Sequence, residues 1–551
     1  MIRFIVSLTS SVLCMLGASA QSSAPTKPQL VVGIVVDQMR QEYLYRFESK
    51  FGEGGFKRLM DGGFMLENVH YNYVPTYTGP GHASIYTGTT PAIHGVIGND
   101  WYDKQLKKIV NCVEDPNQKA VGSVDGNGDV SPSRMLSSTI TDELKLASQK
   151  KSKVVGISFK DRGAVLPAGH HPDGAYWYDG LTGRFITSTY YRMGLPAWLE
   201  SFNNLNLADK YLSQEWKTVL PVAQYAESGT DDSPYETRLT GMDKSVFPYN
   251  LKELRKQNGD FELLAATPFG DDLLTEMAKA VIDGEALGKD EITDFLAISF
   301  SSPDIIGHRT GPNSVEIEDT YMRLDKNLED LFKKLDKEVG QGRYLIFLTA
   351  DHAVADNPQY LKDNSIPADY FRIANVEAGL SDFLEKYFPG KKVIEKISND
   401  QLYLNQELFN GDPRTSGIDF LIATELITKY LQDTPGVAQV YSESNLRQGN
   451  FNEGGTKGMM IRGFHHKRSG DISVVLEPGW IASQGGLTGT THGSAYTYDT
   501  HVPLLFYGTG IKKGSSSQYH PITDIAPTLS ILLKIKFPSG CTGQPISELA
   551  D

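Results

Sequence analysis

Five apolar runs of strand length are spaced along this chain, and three of them lead into an aspartate at or just past their end. The runs are Leu30 to Val36, Val154 to Phe159, Phe295 to Phe300, Tyr344 to Leu348 and Leu504 to Tyr507. Asp37, Asp304 and Asp351 follow the first, third and fourth. Runs that do not alternate with polar residues suit strands buried on both faces, as in a mainly parallel sheet. Helical patterns at Gly54 to Met60, Asp271 to Ile282, Val315 to Val339 and Ile525 to Leu533 supply the crossovers between them. The expected class is therefore α/β. In open sheets of this class, ligands gather outside the carboxyl ends of the strands, where the three aspartates fall.

At 551 residues the chain exceeds one ordinary hydrophobic core. Two long stretches, about 163–260 and 358–484, carry none of the acidic strand ends and are expected to be insertions that rim or cap the site. The first is aromatic, with Tyr176-Trp177-Tyr178, Trp198 and Trp216; the second alternates, as in Gln401-Leu402-Tyr403-Leu404. A formal net charge of -14 argues against a nucleic-acid backbone as the main partner. It does not exclude small anionic substrates, because a bound cation dominates its own surroundings.

The beginning of the chain reads as an export signal. Met1-Ile2-Arg3 is a short basic start, Phe4 to Gly17 an apolar stretch and Ala18-Ser19-Ala20 a small-residue cleavage site. Residues 1–20 are thus expected to be removed and 21–29 to form a flexible lead, placing the protein in the periplasm or outside the cell. No second stretch is long and apolar enough to span a bilayer. Removing the signal leaves Cys112 and Cys541, with no CxxC motif, so cysteine chemistry is not the function.

The chemistry lies in short motifs. Asp304-Ile305-Ile306-Gly307-His308 spaces a carboxylate and an imidazole four apart, one helical turn. Leu348-Thr349-Ala350-Asp351-His352 ends a strand with two adjacent donors, and Val36-Asp37-Gln38 with one. His492 stands among small residues in Thr490-Thr491-His492-Gly493. Singly, these are a surface pair, helix caps and a structural histidine. Together, three carboxylates and three imidazoles suit borderline divalent ions such as zinc. Two such ions form the usual clamp for displacement at phosphorus. The hydroxyl of Thr78, in Thr78-Gly79-Pro80-Gly81-His82, is the candidate attacking group. Lys160-Asp161-Arg162 places two cations after a strand end. His82 and His94, in glycine-rich turns, read as braces for the backbone, and His501 as structural. His170-His171 and His465-His466 have no carboxylate at a strand end beside them.

In this order, and with Ala92-Ile93-His94-Gly95-Val96-Ile97-Gly98-Asn99-Asp100, Tyr498-Asp499-Thr500-His501-Val502-Pro503 and Thr523-Asp524-Ile525-Ala526-Pro527, the motifs resemble the alkaline phosphatase superfamily. Within it they are similar to the periplasmic, phosphate-irrepressible enzymes of Bacteroidetes type, from about Leu30 to the end. The resemblance implies a three-layer α/β/α sandwich with inserted cap segments. It implies two zinc ions, one held by Asp37, Asp351, His352 and the Thr78 oxygen, the other by Asp304, His308 and His492. It implies hydrolysis of phosphate monoesters through a phosphothreonine at Thr78. Asn99, Lys160 and Arg162 would hold the phosphoryl oxygens, with Lys160 standing where other members place a third metal. The expected form is a monomer acting on small phosphate monoesters.

The closest alternative is a phosphodiesterase or nucleotide pyrophosphatase of the same superfamily, which the aromatic stretch Tyr176 to Tyr178 keeps open. An arylsulfatase would need a Cys or Ser two residues before the proline of its motif, and Val130 stands there before Ser131-Pro132-Ser133-Arg134. A cofactor-independent phosphomutase is a cytosolic, manganese-dependent enzyme, which does not fit the signal. A non-catalytic exported metal-binding protein is the alternative from another class.

Overall fold

The computed structural model describes residues 27–123, 128–409, 419–483 and 486–550. A signal at 1–20 lies outside them. Pro28 and Gln29 do not continue the expected flexible lead. The Gln29 N–H donates to the Arg343 carbonyl at 2.7 Å, and Thr293 donates to the Pro28 carbonyl at 2.5 Å. Both residues dock at the start of the sheet, because the first strand needs its neighbours paired from its first residue.

Ten strands form the central sheet: β1 Leu30–Val36, β2 Phe64–His70, β3 Ala120–Val121, β4 Val154–Ser158, β5 Gly174–Asp179, β6 Arg184–Ser188, β7 Asp294–Phe300, β8 Tyr344–Thr349, β9 His501–Gly508 and β10 Gly514–Pro521. Their order is β10-β2-β9-β8-β1-β7-β4-β5-β6-β3. Strands β8, β1, β7, β4 and β5 run parallel through its middle, and antiparallel pairs flank them. The middle strands are the continuous apolar runs: every residue of β1, β7 and β8 is buried.

The register fixes where the polar ends fall. Val36 pairs with Phe300, Val35 with Thr349 and Ser299 with Ser158, so the residues after these positions emerge at one edge. That edge carries Asp37, Asp304, Asp351 and Lys160.

Helices cover both faces. On one, Tyr86 of helix Thr78–Thr87 packs against Phe295 and Phe347. Helices Phe269–Gly284 and Val315–Leu335 supply core residues elsewhere in the main cluster. In β5, Ala175 and Trp177 join one apolar cluster while Tyr176 and Tyr178 join the other, the two-residue alternation of a strand between two layers.

That strand corrects the first expected insertion. Residues 174–188 extend the central sheet instead of standing outside it. The aromatic run that suggested a rim is a strand buried along its whole length. The described part of the second stretch is arranged differently. Strands Ile394–Ser398, Gln401–Leu404, Val437–Ser442 and Ile472–Leu476 make a separate antiparallel sheet. Helices Ile373–Glu385 and Phe420–Gln432 cover it around Leu380, Leu402, Ile427 and Ile472.

Candidate active site

Thr78 is the first residue of helix Thr78–Thr87 and is buried. The helix begins there because Tyr77 is extended and Pro80 sits in the first turn, where a missing N–H costs nothing. Its amino end brings the positive pole of the backbone dipole to the site, a favourable place for an anion. Thr78 Oγ1 lies 3.5 Å from His352 Nε2. The Thr78 carbonyl faces His82 Nδ1 at 2.9 Å.

The donors gather around this residue in two close groups, Asp37 with His82 and Asp351, and Asp304 with His352 and His492. His308 joins the second through Asp304 Oδ1, 3.2 Å from its Nε2, while His492 Nε2 stands 3.6 Å from the same oxygen. His492 is fixed by its Nδ1 against the Thr76 carbonyl at 2.7 Å, which turns Nε2 toward Asp304. His308 Nδ1 is held likewise on the Thr490 carbonyl.

This grouping differs from the expected ligand sets in two residues. His352 sits 3.4 Å from Asp351 Oδ2 yet stacks on His492, so it belongs to both groups. His82, read from sequence as a backbone brace, also brings Nε2 to 3.8 Å from Asp37 Oδ1. The Thr78 carbonyl occupies its Nδ1, with Asp351 Oδ2 3.7 Å from the same nitrogen, which leaves Nε2 facing Asp37.

Lys160 caps the helix Asp161–Ala168 and extends its ammonium between the two groups, 2.9 Å from Asp37 and 2.5 Å from Asp304. Arg162 lies mostly buried beside it, with Nε unpaired. Asn99 accepts the Gly79 N–H through Oδ1 at 2.7 Å. Its amide nitrogen makes no hydrogen bond among the described residues.

Electrostatics follow from crowding these charges out of water. Burial, then Asp37, pushes the Asp351 carboxyl up to about 8. Burial also raises the cost of ionising Asp304, but His308 and Lys160 outweigh it and hold this carboxyl well below its ordinary range. Burial lowers His352 to about 4, and burial with the neighbouring His352 lowers His492 well below the usual imidazole value. Both rings are therefore neutral donors near pH 7.

Within the group of Asp37, His82 and Asp351, two buried atoms have no hydrogen-bond partner among the described residues, His82 Nε2 and Asp351 Oδ2. An unpaired buried polar atom is costly, and both belong to one three-donor group. Nitrogen and carboxylate oxygen in threes, with no thiolate, fit borderline divalent cations.

Several supporting residues carried no signal in the sequence. Gln38 has a left-handed φ of 67°, and its amide donates to Asp304 Oδ1 at 2.6 Å while its backbone N–H reaches Asp351 Oδ1 at 3.1 Å. Gly307 admits it: a Cβ there would come within 2.0 Å of Gln38 Oε1. Ser299 donates to Asp37 at 3.0 Å. Asp499 accepts the N–H groups of Gly493 and Ser494, fixing the loop after His492. Its place in the Tyr498-Asp499-Thr500-His501 motif was the only available hint.

The remaining histidines stand apart. His94 bonds Ser84, and His501 faces the Glu67 carbonyl. His170 pairs with Asp142, and His465 stacks on His466. Cys112 and Cys541 are both free thiols.

Residues 31–499 match the family model described as type I phosphodiesterase / nucleotide pyrophosphatase. Alkaline phosphatase PafA of Elizabethkingia meningoseptica is 44% identical over 97% of this chain and 96% of its own. A Myroides odoratus protein named calcium-transporting ATPase is 43% identical over 95% of this chain and 94% of its own. Alkaline phosphatase PhoV of Synechococcus elongatus is 43% identical over 95% and 93%. The crystal structure of wild-type PafA superposes with a TM-score of 0.90, covering 95% of this chain and 99% of that one at 44% identity. Among the described residues no helix is long and apolar enough to cross a membrane.

Proposed function

The chain belongs to the type I phosphodiesterase / nucleotide pyrophosphatase family of the alkaline phosphatase superfamily and is an alkaline phosphatase, and we propose that it cleaves phosphate monoesters with Thr78 as nucleophile. The supporting observation is that Thr78 touches a donor of each group, His352 through its hydroxyl and His82 through its carbonyl. A threonine hydroxyl is a weak nucleophile near neutral pH and needs activation, which such surroundings can supply.

In this reading Asp37, Asp351 and His352, with the Thr78 oxygen, would hold one zinc ion, and Asp304, His308 and His492 would hold a second. When bound, such ions act as Lewis acids toward the attacking and departing oxygens. The chain's own residues do the rest. The helix amino end at Thr78 and the free Asn99 amide receive the phosphoryl oxygens. Arg162 offers a guanidinium suited to two of them. Lys160 exchanges its carboxylate partners for the same group. Thr78 Oγ attacks phosphorus, the alcohol leaves, and water then attacks the phosphothreonine to return the free hydroxyl and inorganic phosphate. Gln38 and Ser299 keep Asp304 and Asp37 in place throughout. We further propose that the enzyme is exported through the signal at 1–20 and acts as a monomer.

The rival diesterase reading relied on Tyr176 to Tyr178 as a stacking surface. Those rings are buried in the sheet and offer none. The deciding experiment compares kcat/KM for an aryl phosphate monoester and its methyl diester. A monoester preference of several orders of magnitude is expected, and a preference for the diester would overturn the reading.

A further inference from the structure

Beside His492 and Tyr77 a cavity of about 140 Å³ opens between the catalytic sheet and the unit built from residues 358–484. Its size is close to the roughly 150 Å³ that accommodates a benzene ring, enough for a small alkyl group. Four aromatic side chains line it besides His492, namely Tyr77, Phe464, Trp480 and Tyr498, and no lysine or arginine does among the described residues.

Most polar groups on its wall are committed. Asn399 donates to the Asp100 carbonyl, Gln401 accepts from Gly470, and Asp499 accepts from Gly493 and Ser494. Asp400 is different. Its carboxylate makes no hydrogen bond or ion pair among the described residues, and after burial it is the leading charge acting on the Tyr77 hydroxyl. Burial alone pushes its carboxyl up to about 6, with no neighbouring charge contributing. Asn399 and Asp400 both adopt left-handed φ, 53° and 55°, in the tight turn joining Ile394–Ser398 to Gln401–Leu404. The turn is clamped to the Asn99 loop by the Asn399 bond, so Asp400 is held at a fixed place.

We propose that this cavity is the subsite for the departing alcohol and that Asp400 makes it select leaving groups carrying an ammonium, as in an amino-alcohol phosphate. The inference rests on the phosphomonoesterase reading. His492 belongs to the donor set that does not take the attacking Thr78 oxygen and so is left to face the departing one, and it forms part of the cavity wall. An alkylammonium entering past it meets an unpaired carboxylate and aromatic faces, both of which attract cations. A phosphate or carboxylate substituent meets repulsion from the same carboxylate.

The test uses two isosteric substrates, O-phosphoethanolamine and n-propyl phosphate, with the metal-loaded enzyme at about pH 8, where a carboxylate is ionised and an alkylammonium is still charged. Comparing the ratio of kcat/KM values between variants cancels the intrinsic difference between the two alcohols. Asp400→Asn is expected to lower the phosphoethanolamine to propyl phosphate ratio about tenfold, the scale of one charge-assisted contact, with propyl phosphate hardly changed. Asp400→Glu should keep most of the preference. An unchanged ratio in Asp400→Asn, or equal losses on both substrates, overturns the proposal. Failure of the wild-type enzyme to turn over propyl phosphate at all would instead overturn the monoesterase reading, and this one with it.

Discussion

The imidazole of His352 lies flat on that of His492, with ring centroids 3.4 Å apart and planes 13° from parallel. Two cationic rings could not share that space, and burial keeps both neutral. The stack brings a donor from the Asp351-His352 strand end against one from the Thr490-Thr491-His492-Gly493 loop. The same His352 ring reaches Asp351 of the other donor group, with Nε2 3.4 Å from Oδ2, so the two groups form one continuous site.

Removing one group should empty one metal position before the other. Asp304→Asn and His492→Ala are expected to lower bound zinc from two ions per chain toward one, measured by elemental analysis, with activity falling at least about a hundredfold. Retention of two ions in either variant would contradict the assignment.

Thr78→Ser should keep substantial activity because a primary hydroxyl can replace a secondary one. Thr78→Ala should lose at least about a thousandfold in kcat, as for removal of a nucleophile elsewhere. Trapping phosphoenzyme by acid quench in Thr78→Ser but not in Thr78→Ala identifies the bond formed. Full activity in the alanine variant would rule Thr78 out.

Lys160→Ala and Arg162→Ala should separate monoesters from diesters. Charge-assisted contacts are worth about 1.5–3 kcal/mol, so each loss should cost roughly 10- to 100-fold on a monoester. The diester should lose less, because it presents fewer free charged oxygens. The two effects should not be additive, since both cations serve one phosphoryl group. Equal losses on both ester types would favour the diesterase reading.

Gly81 passes close to the Asp351 backbone: a Cβ there would stand 2.2 Å from the Asp351 carbonyl oxygen. Gly81→Ala must push the Thr78 helix away from Asp351. It should destabilise the fold by about 1–3 kcal/mol and lower kcat as well. Gly454→Ala, where a Cβ meets nothing within 4 Å, is the matched control. Melting temperature and kcat measured together check both, and an undisturbed Gly81→Ala enzyme would refute the close packing.

Away from the site, His170 and Asp142 form a pH-dependent pair, with Nδ1 2.9 Å from Oδ2. Burial opposes the charge on His170, but the Asp142 bond outweighs it and raises the imidazole above 6.5. Burial likewise opposes ionisation of Asp142, yet His170 and backbone N–H groups hold it below 3.8. The histidine contribution is complete below its unfolded value and disappears as pH rises through the folded one. The aspartate contribution is complete above its unfolded value and disappears as pH falls through the folded one. His170→Gln should therefore lower the melting temperature most at about pH 5–6 and progressively less toward about pH 9. A pH-independent difference would show that the pair is not charged.

The middle strands were legible because burial on both faces leaves few residue choices, and Leu30–Val36 begins and ends where its apolar run does. The helix expected at Gly54 to Met60 begins two residues later, at Phe56, and runs to Gly62. The aromatic strand Gly174–Asp179 was misplaced because its rings read equally well as a rim and as a core. Only its pairing with Val154–Ser158 decides between them.

The same division runs through the site. By itself the sequence determined the donor types and their positions after strand ends, since coordination chemistry restricts residue type and a parallel sheet gathers such ends on one edge. Tertiary structure decided how the donors divide: His352 onto His492, His82 toward Asp37, Gln38 onto Asp304, and Asp400 at the wall of a cavity. Those outcomes depend on contacts between segments as far apart as Gln38 and Asp304, 266 positions in the chain. A few tenths of an ångström of approach separate a hydrogen bond from none. Local sequence carries no record of such distances; packing sets them.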